Sequence, residues 1–458
     1  MRLWRASTLL TMARLLAFAV VVALVLAAGL EAGARPRAKT ATCSEDAALR
    51  APPAGRPSYL LTVSLASNLS AASGMLRVAF EPEVATDRLV FRLWPNGPAY
   101  ASAGAHLVVE GVQLHGKPAR TSRPDATTLV VHRRIAAGQR ITVSMRWRLA
   151  LPRAGGGRLY GGRVARLGSF FPLLAWTGGG WATDPPIRGA LETWTSPAAD
   201  FDVRIAAPSG MRVLATGTEV AAGRWRARAV RDFAVTVGRF AVTRQVVRVP
   251  APVEIVVGRT ADVAVPRSFI LAQAAAALRA YSKRYGAYPW RTYTVAVTAE
   301  VPGSRGIEYP TIVFLIGDPS RLLVGHETAH QWFYSLVGND QARDPWLDEA
   351  LTTWAEVRHD DTLQELRKTP IPKDVRGRLG QPTSFWDSVG YRKAYFGIYV
   401  QGAQALASLG DPDRVDCALR RYVAKNAYRT AVPRDLLREL RRFFPDARTK
   451  LERRGARF

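Results

Sequence analysis

The sequence predicts an antiparallel β domain followed by an α+β domain that becomes all-helical toward its end. Three observations carry this. Residues 58–258 hold short runs of β-branched and aromatic residues divided by turn clusters. Near Pro266 the apolar period switches from two to helical spacing. After Ala394 the pattern stays helical to about Phe444. Alternation marks half-buried strands and a 3.6-residue period marks amphipathic helices.

At the N-terminus, Arg2, Arg5 and Arg14 precede an uncharged apolar run from Leu15 to Leu30, and small residues stand at Ala32 and Ala34. A basic start, an apolar stretch and small residues resemble a secretory signal cleaved after Ala34. The 16-residue run is short for a span, yet an uncleaved anchor over residues 15–30 is the close alternative. Either way an exported protein is expected, secreted or held at the cell surface. Residues 1–34 are therefore read as signal or anchor. Residues 35–57, rich in Pro and small residues, are read as a linker.

In the β region, "YLLTVSL", "LRVAF", "LVFRL", "TLVVH", "ITVSMRWRL", "FDVRIAAP", "FAVTV" and "VEIVVG" are the expected strands. The fifth alternates cleanly, with Ile141, Val143, Met145, Trp147 and Leu149 on one face. From residue 259, "SFILAQAAAALRAYSKRYG" predicts a helix with Ser268 as cap and Gly286 as stop. "TYTVAVTAE" and "TIVFLIG" are strands flanking "GIEYP". "RLLVGHETAHQWFYSLVG" predicts a helix closing at Gly338. "DPWLDEALTTWAEVRH" predicts the next, capped by Asp344 with Pro345 at its first position. The domains are thus 58–258, 259–410 and a helical segment 411–458.

Lys and Arg number 64 against 37 Asp and Glu, a formal charge of +27. No dense basic run, aromatic–basic alternation or nucleic-acid motif accompanies it, so it is read as compositional bias and no nucleic-acid partner is expected. The two cysteines, Cys43 and Cys417, lack metal-ligand spacing and are read as incidental, although one disulfide is possible in an oxidising compartment.

The chemistry lies in "GHETAHQW". His326 and His330 are four residues apart, so on a helix both imidazoles face one ion. Zinc accepts neutral imidazole and keeps one position open in catalytic sites. Glu327 projects beside them, placed to take a proton from water. A third ligand is available in "WLDEALTTWAE": Glu349 follows His330 after eighteen residues, on the next helix. Thr353 and Glu356 share its face and are candidates to hold a ligand imidazole by its free N–H.

"HETAH", eighteen residues, then the glutamate of "WLDEA" resembles the aminopeptidase N-like family of gluzincin zinc metallopeptidases, in a short bacterial-type form. The resemblance covers roughly residues 58–410. It implies a β-sandwich or saddle domain followed by a thermolysin-like peptidase domain, one zinc on His326, His330 and Glu349, and Glu327 as general base. "RGIEYP" stands where the family carries Gly-x-Met-Glu-Asn, with Arg305, Ile307 and Tyr309 departing from that pattern. The resemblance makes Glu308 the residue that binds a substrate's free α-amine. "YVQGAQAL" matches the family's tyrosine motif, with Gln401 where lysine or arginine is usual. It makes Tyr399 the oxyanion donor, with Tyr391 as the rival. The expected partners are peptides with a free N-terminus. An endopeptidase with an open site, or a non-catalytic surface protein on the same scaffold, are the alternatives, since larger relatives carry a long helical C-terminal domain over the site.

Overall fold

The computed structural model describes residues 48–154, 157–189, 191–299 and 305–458. The expected signal or anchor, residues 1–34, and most of the expected linker lie outside them, as does Cys43. Among the described residues no helix is long and apolar enough to cross a membrane.

An eight-stranded sheet carries much of the first half, with Ser58–Leu65, Ala71–Phe80 and Ile141–Ala150 near its centre. Ile141, Val143, Met145, Trp147 and Leu149 are all buried, as their alternation requires. One pairing departs from the antiparallel expectation: Ser58–Leu65 runs parallel to Ala199–Ala206. Two four-stranded sheets complete this half, and its core is closed by aromatic contacts such as the stack of Tyr59 on Phe201.

A five-stranded sheet organises the second half. Its order is Ala241–Arg248, Pro252–Arg259, Thr292–Thr298, Ile312–Ile316, Arg305–Tyr309. The first of these strands, and all but the last residue of the second, fall within 58–258, the range assigned above to the β domain. They pair instead with the sheet of the second half, through a parallel ladder from Pro252–Arg259 to Thr292–Thr298. Sheet membership therefore changes near Phe240, because a local strand pattern does not say which sheet it joins.

The helices differ from expectation at their ends. Arg267–Tyr285 begins one residue before Ser268, with Pro266 at the cap position, and stops at Gly286 as expected. Trp346–Asp360 has Pro345 at its cap position and no capping bond from Asp344. The helix carrying "HETA" spans Arg321–Ala329, and the Ser320 hydroxyl accepts from the Leu323 N–H. It does not run on to Gly338. The Gln331 side chain is tied to the Tyr309–Thr311 turn, donating to the Tyr309 carbonyl and accepting from the Thr311 N–H. Tyr334 then sits at φ 120°, so the chain turns away.

Cys417 takes part in a disulfide, which corrects the reading of the cysteines as incidental.

Candidate active site and metal centre

Four elements supply the site: the edge strand Arg305–Tyr309, the helices Arg321–Ala329 and Trp346–Asp360, and the helical run Tyr391–Ala407. His326 and His330 lie one turn apart with ring centroids separated by 4.9 Å. Glu349, in the first turn of the next helix, reaches both: its Oε2 is 3.4 Å from Nε2 of His326 and 3.4 Å from Nε2 of His330. That Oε2 is buried and has no hydrogen-bond partner. The three groups each offer one ligand atom, all within 4.8 Å of one another.

The other imidazole nitrogens are already committed. Nδ1 of His326 is 2.7 Å from Glu356 Oε2. Nδ1 of His330 is 2.8 Å from Asp348 Oδ1 and 3.1 Å from the Thr352 hydroxyl. Carboxylates on Nδ1 fix each ring and leave Nε2 free for a metal. Glu356 takes the place foreseen for it. Thr353 does not: its hydroxyl is buried without a partner, and its neighbour Thr352 is the one that meets His330. Asp348 was not foreseen, although it directly precedes Glu349.

Electrostatics point the same way. Burial opposes charge on His326, yet Glu349 and Glu356 push it up to about 10. Burial also opposes ionisation of Glu349, but His330 and His326 hold it well below the usual carboxylate range. The cluster thus demands positive charge at its centre. Two inward Nε2 atoms, an orphaned carboxylate oxygen and that demand fit a divalent ion with nitrogen and oxygen ligands, as zinc takes.

Glu327 is buried beside the pair, and burial pushes its carboxyl up to about 7 against the pull of His326 and His330. Its Oε2 has no partner. Gly306 makes room for it: a Cβ there would stand 2.2 Å from Glu327 Oε1. Two residues on, Glu308 is buried on the same edge strand, and Glu308, Glu327 and His330 offer ligand atoms within 4.8 Å of one another. Glu308 Oε1 accepts no hydrogen bond, with the Arg158 guanidinium 3.5 Å away. Arg158 also contacts Glu192, which accepts from Gln341; Gln341 in turn donates to Asp348. Arg158, Glu192 and Gln341 come from distant parts of the chain and left no motif to read.

The Tyr399 hydroxyl donates to Glu349 Oε1 at 2.5 Å, and its ring lies 6.0 Å from that of His326. Gly402 allows this approach: a Cβ there would stand 2.2 Å from the Ala350 Cβ, so the two helices pack closely at this point. Tyr399 sits in a π-helical segment, Tyr395–Val400, where a plain helix was expected. Tyr391, its rival, is 56% exposed and lies two turns upstream.

No protein-family model matches the chain. A 200-residue alignment is 30% identical to human Aminopeptidase RNPEPL1, covering 37% of this chain and 27% of that protein. A 199-residue alignment is 25% identical to human Aminopeptidase B, covering 37% of this chain and 30% of that one. The chain thus spans under a third of the length of these curated relatives. The crystal structure of an M1 zinc metallopeptidase from Deinococcus radiodurans matches with a TM-score of 0.65 at 19% identity, over 88% of this chain and 94% of that one. A mutant of that enzyme bound to Tyr-Ser-Ala gives a TM-score of 0.62 at 18% identity, over 88% of this chain and 95% of that one.

The fold is therefore similar to that of a solved two-domain M1 zinc metallopeptidase. Over the aligned stretch the sequence is similar to aminopeptidases.

Proposed function

We propose that the chain is an exported zinc aminopeptidase that removes N-terminal residues from peptides. The observation that carries this is the meeting of His326, His330 and Glu349 around an unpartnered carboxylate oxygen, with Glu327 and Glu308 beside them. When bound there, zinc supplies Lewis acidity to the scissile carbonyl and to a water molecule.

The chain's own residues do the rest. Glu308 Oε1 pairs with the substrate's α-ammonium and so sets which peptide bond enters. Glu327 Oε2 takes the proton of the attacking water and returns it to the departing amine. A carboxyl pushed up to about 7 is matched to that double duty. The Tyr399 hydroxyl, which donates to Glu349 Oε1 in the free site, would turn from it to donate to the oxygen that gains charge. Asp348 and Glu356 keep the imidazoles aimed. The Tyr-Ser-Ala complex of the Deinococcus radiodurans relative supports short peptides as substrates. The disulfide at Cys417 supports an oxidising, non-cytoplasmic location.

The test is one preparation assayed twice, for bound zinc and for turnover of a free-amine tripeptide. About one zinc per chain and chelator-sensitive turnover are expected. Zinc without turnover would favour the non-catalytic scaffold.

A further inference from the structure

The C-terminal helices hold a groove that peptide hydrolysis does not use. It measures about 510 Å³ and is lined by Arg434, Leu437, Arg438, Arg441, Arg442 and Arg448. All of the lining residues but one are arginines.

The fold gathers them. On the helix Pro433–Leu440, Arg434 and Arg438 lie one turn apart, and Arg441 continues the row at its C-terminal cap position. Leu436, Leu437 and Leu440 on the same helix are buried, so the arginine face looks to solvent. The following helix, Ala447–Glu452, brings Arg448 to the same groove.

Their charge is only partly cancelled. Arg438 pairs with Asp435 at 2.5 Å, and Arg448 with Glu452 at 2.9 Å. Arg442 pairs with Glu439 at 3.1 Å, but Glu439 is shared with Arg421, also at 3.1 Å. Arg434 and Arg441 are exposed and have no acidic partner among the described residues. Glu439 is 2% exposed, so it fixes part of the row from beneath. Guanidinium groups already held in place lose less freedom when a ligand binds.

A guanidinium is a planar fork that matches the oxygens of phosphate or carboxylate. The lining selects among polyanions. No aromatic ring stands in it to stack bases, as single-stranded nucleic acid requires. A protein partner wants apolar or aromatic anchors in well-packed pockets, and the lone apolar lining residue, Leu437, is 4% exposed. A bilayer surface wants apolar side chains to insert, and the lining presents none to solvent. A chain of linked phosphates needs only successive cations.

We propose that this groove binds a polyphosphate-type polymer, a chain of linked phosphate groups without bases, and so docks the protein on phosphate-rich material. The docking residues play no part in the metal centre, and the proposal stands apart from the aminopeptidase reading.

The experiment titrates the zinc-loaded full chain into end-labelled inorganic polyphosphate and follows fluorescence anisotropy. It compares the wild type with Arg434→Gln/Arg441→Gln and with a charge-matched control, Arg77→Gln/Arg146→Gln, whose arginines are exposed on the eight-stranded sheet. Glutamine has nearly the helix propensity of arginine, so the helix is kept. The groove pair should weaken binding about tenfold or more and lower the slope of log affinity against log salt by roughly 1–2, as the loss of two phosphate contacts requires. The control pair should stay within about twofold of the wild type. Should the groove pair misfold, Arg434→Gln alone carries the test, with about half that change in log affinity. Equal weakening by both pairs would mean that net charge alone binds the polymer and would overturn the groove, as would a wild type that does not bind. Tighter binding to poly-glutamate or to phosphatidylglycerol vesicles, lost in the groove pair, would assign the groove to acidic peptides or to a membrane and overturn the polyphosphate reading.

Discussion

Asp348 Oδ1 stands 2.8 Å from Nδ1 of His330, while the next residue along the helix, Glu349, faces Nε2 of the same ring at 3.4 Å. Two consecutive acidic residues thus hold one imidazole from both sides. One orients it and the other shares its metal position. Asp348 is 2% exposed and also accepts from Gln341, so its own carboxylate is fixed.

Asp348→Asn and Glu356→Gln should each weaken zinc binding by roughly 10–100-fold, the usual cost of losing a carboxylate behind a ligand histidine. Competition with a chelator of known affinity measures it. Unchanged affinity in both variants would deny them that role.

Glu327→Gln should keep zinc and fold yet lose turnover by ~10²–10⁴-fold or more. Survival of activity within tenfold would remove Glu327 as the base.

Gly306→Ala reaches the same carboxylate from outside. The added methyl would stand 2.2 Å from Glu327 Oε1, so Glu327 must move. The expected result is a large fall in kcat with zinc content intact. A variant with wild-type kcat would mean that the strand yields instead.

Asp232 offers a pH test away from the metal. It is buried, accepting from the Ser169 hydroxyl and the Phe233 N–H, and burial raises its carboxyl to about 7. An unfolded aspartate titrates near ~3.9. The raised folded value stabilises the protein fully below about pH 4, and that contribution is lost as pH rises through about 7. Asp232→Asn should therefore gain on the wild type between those limits, by on the order of 4 kcal/mol, read from unfolding curves at pH 4 and pH 8. A difference independent of pH would refute the assignment.

Much of this was legible because it is periodic or local. Trp147 and its alternating neighbours announce a buried strand face. His326, Glu327 and His330 share one helical turn, and Glu349 and Glu356 share another. What stayed hidden depends on distant partners. Ala241–Arg248 and Pro252–Arg259 look like any strands until their sheet is known. The "HETA" helix stops early because Gln331 is tied to a turn twenty residues upstream, at Thr311. Arg158, Glu192 and Gln341 join the site from across the fold. Asp348 carries a local signal too, since it directly precedes Glu349 in the sequence.

Glu308 separates an aminopeptidase from an endopeptidase. Its buried Oε1 accepts no hydrogen bond and has only the Arg158 guanidinium at 3.5 Å, so it should favour substrates that bring it a close cation, and acetylation removes that cation at a cost of ~2–5 kcal/mol. The measurement is kcat/KM of the zinc-loaded protein on one peptide with a free and with an acetylated N-terminus. A fall of roughly 30-fold to several thousandfold on acetylation is the expected result. Equal cleavage of the two peptides would contradict the aminopeptidase assignment and leave an endopeptidase in its place.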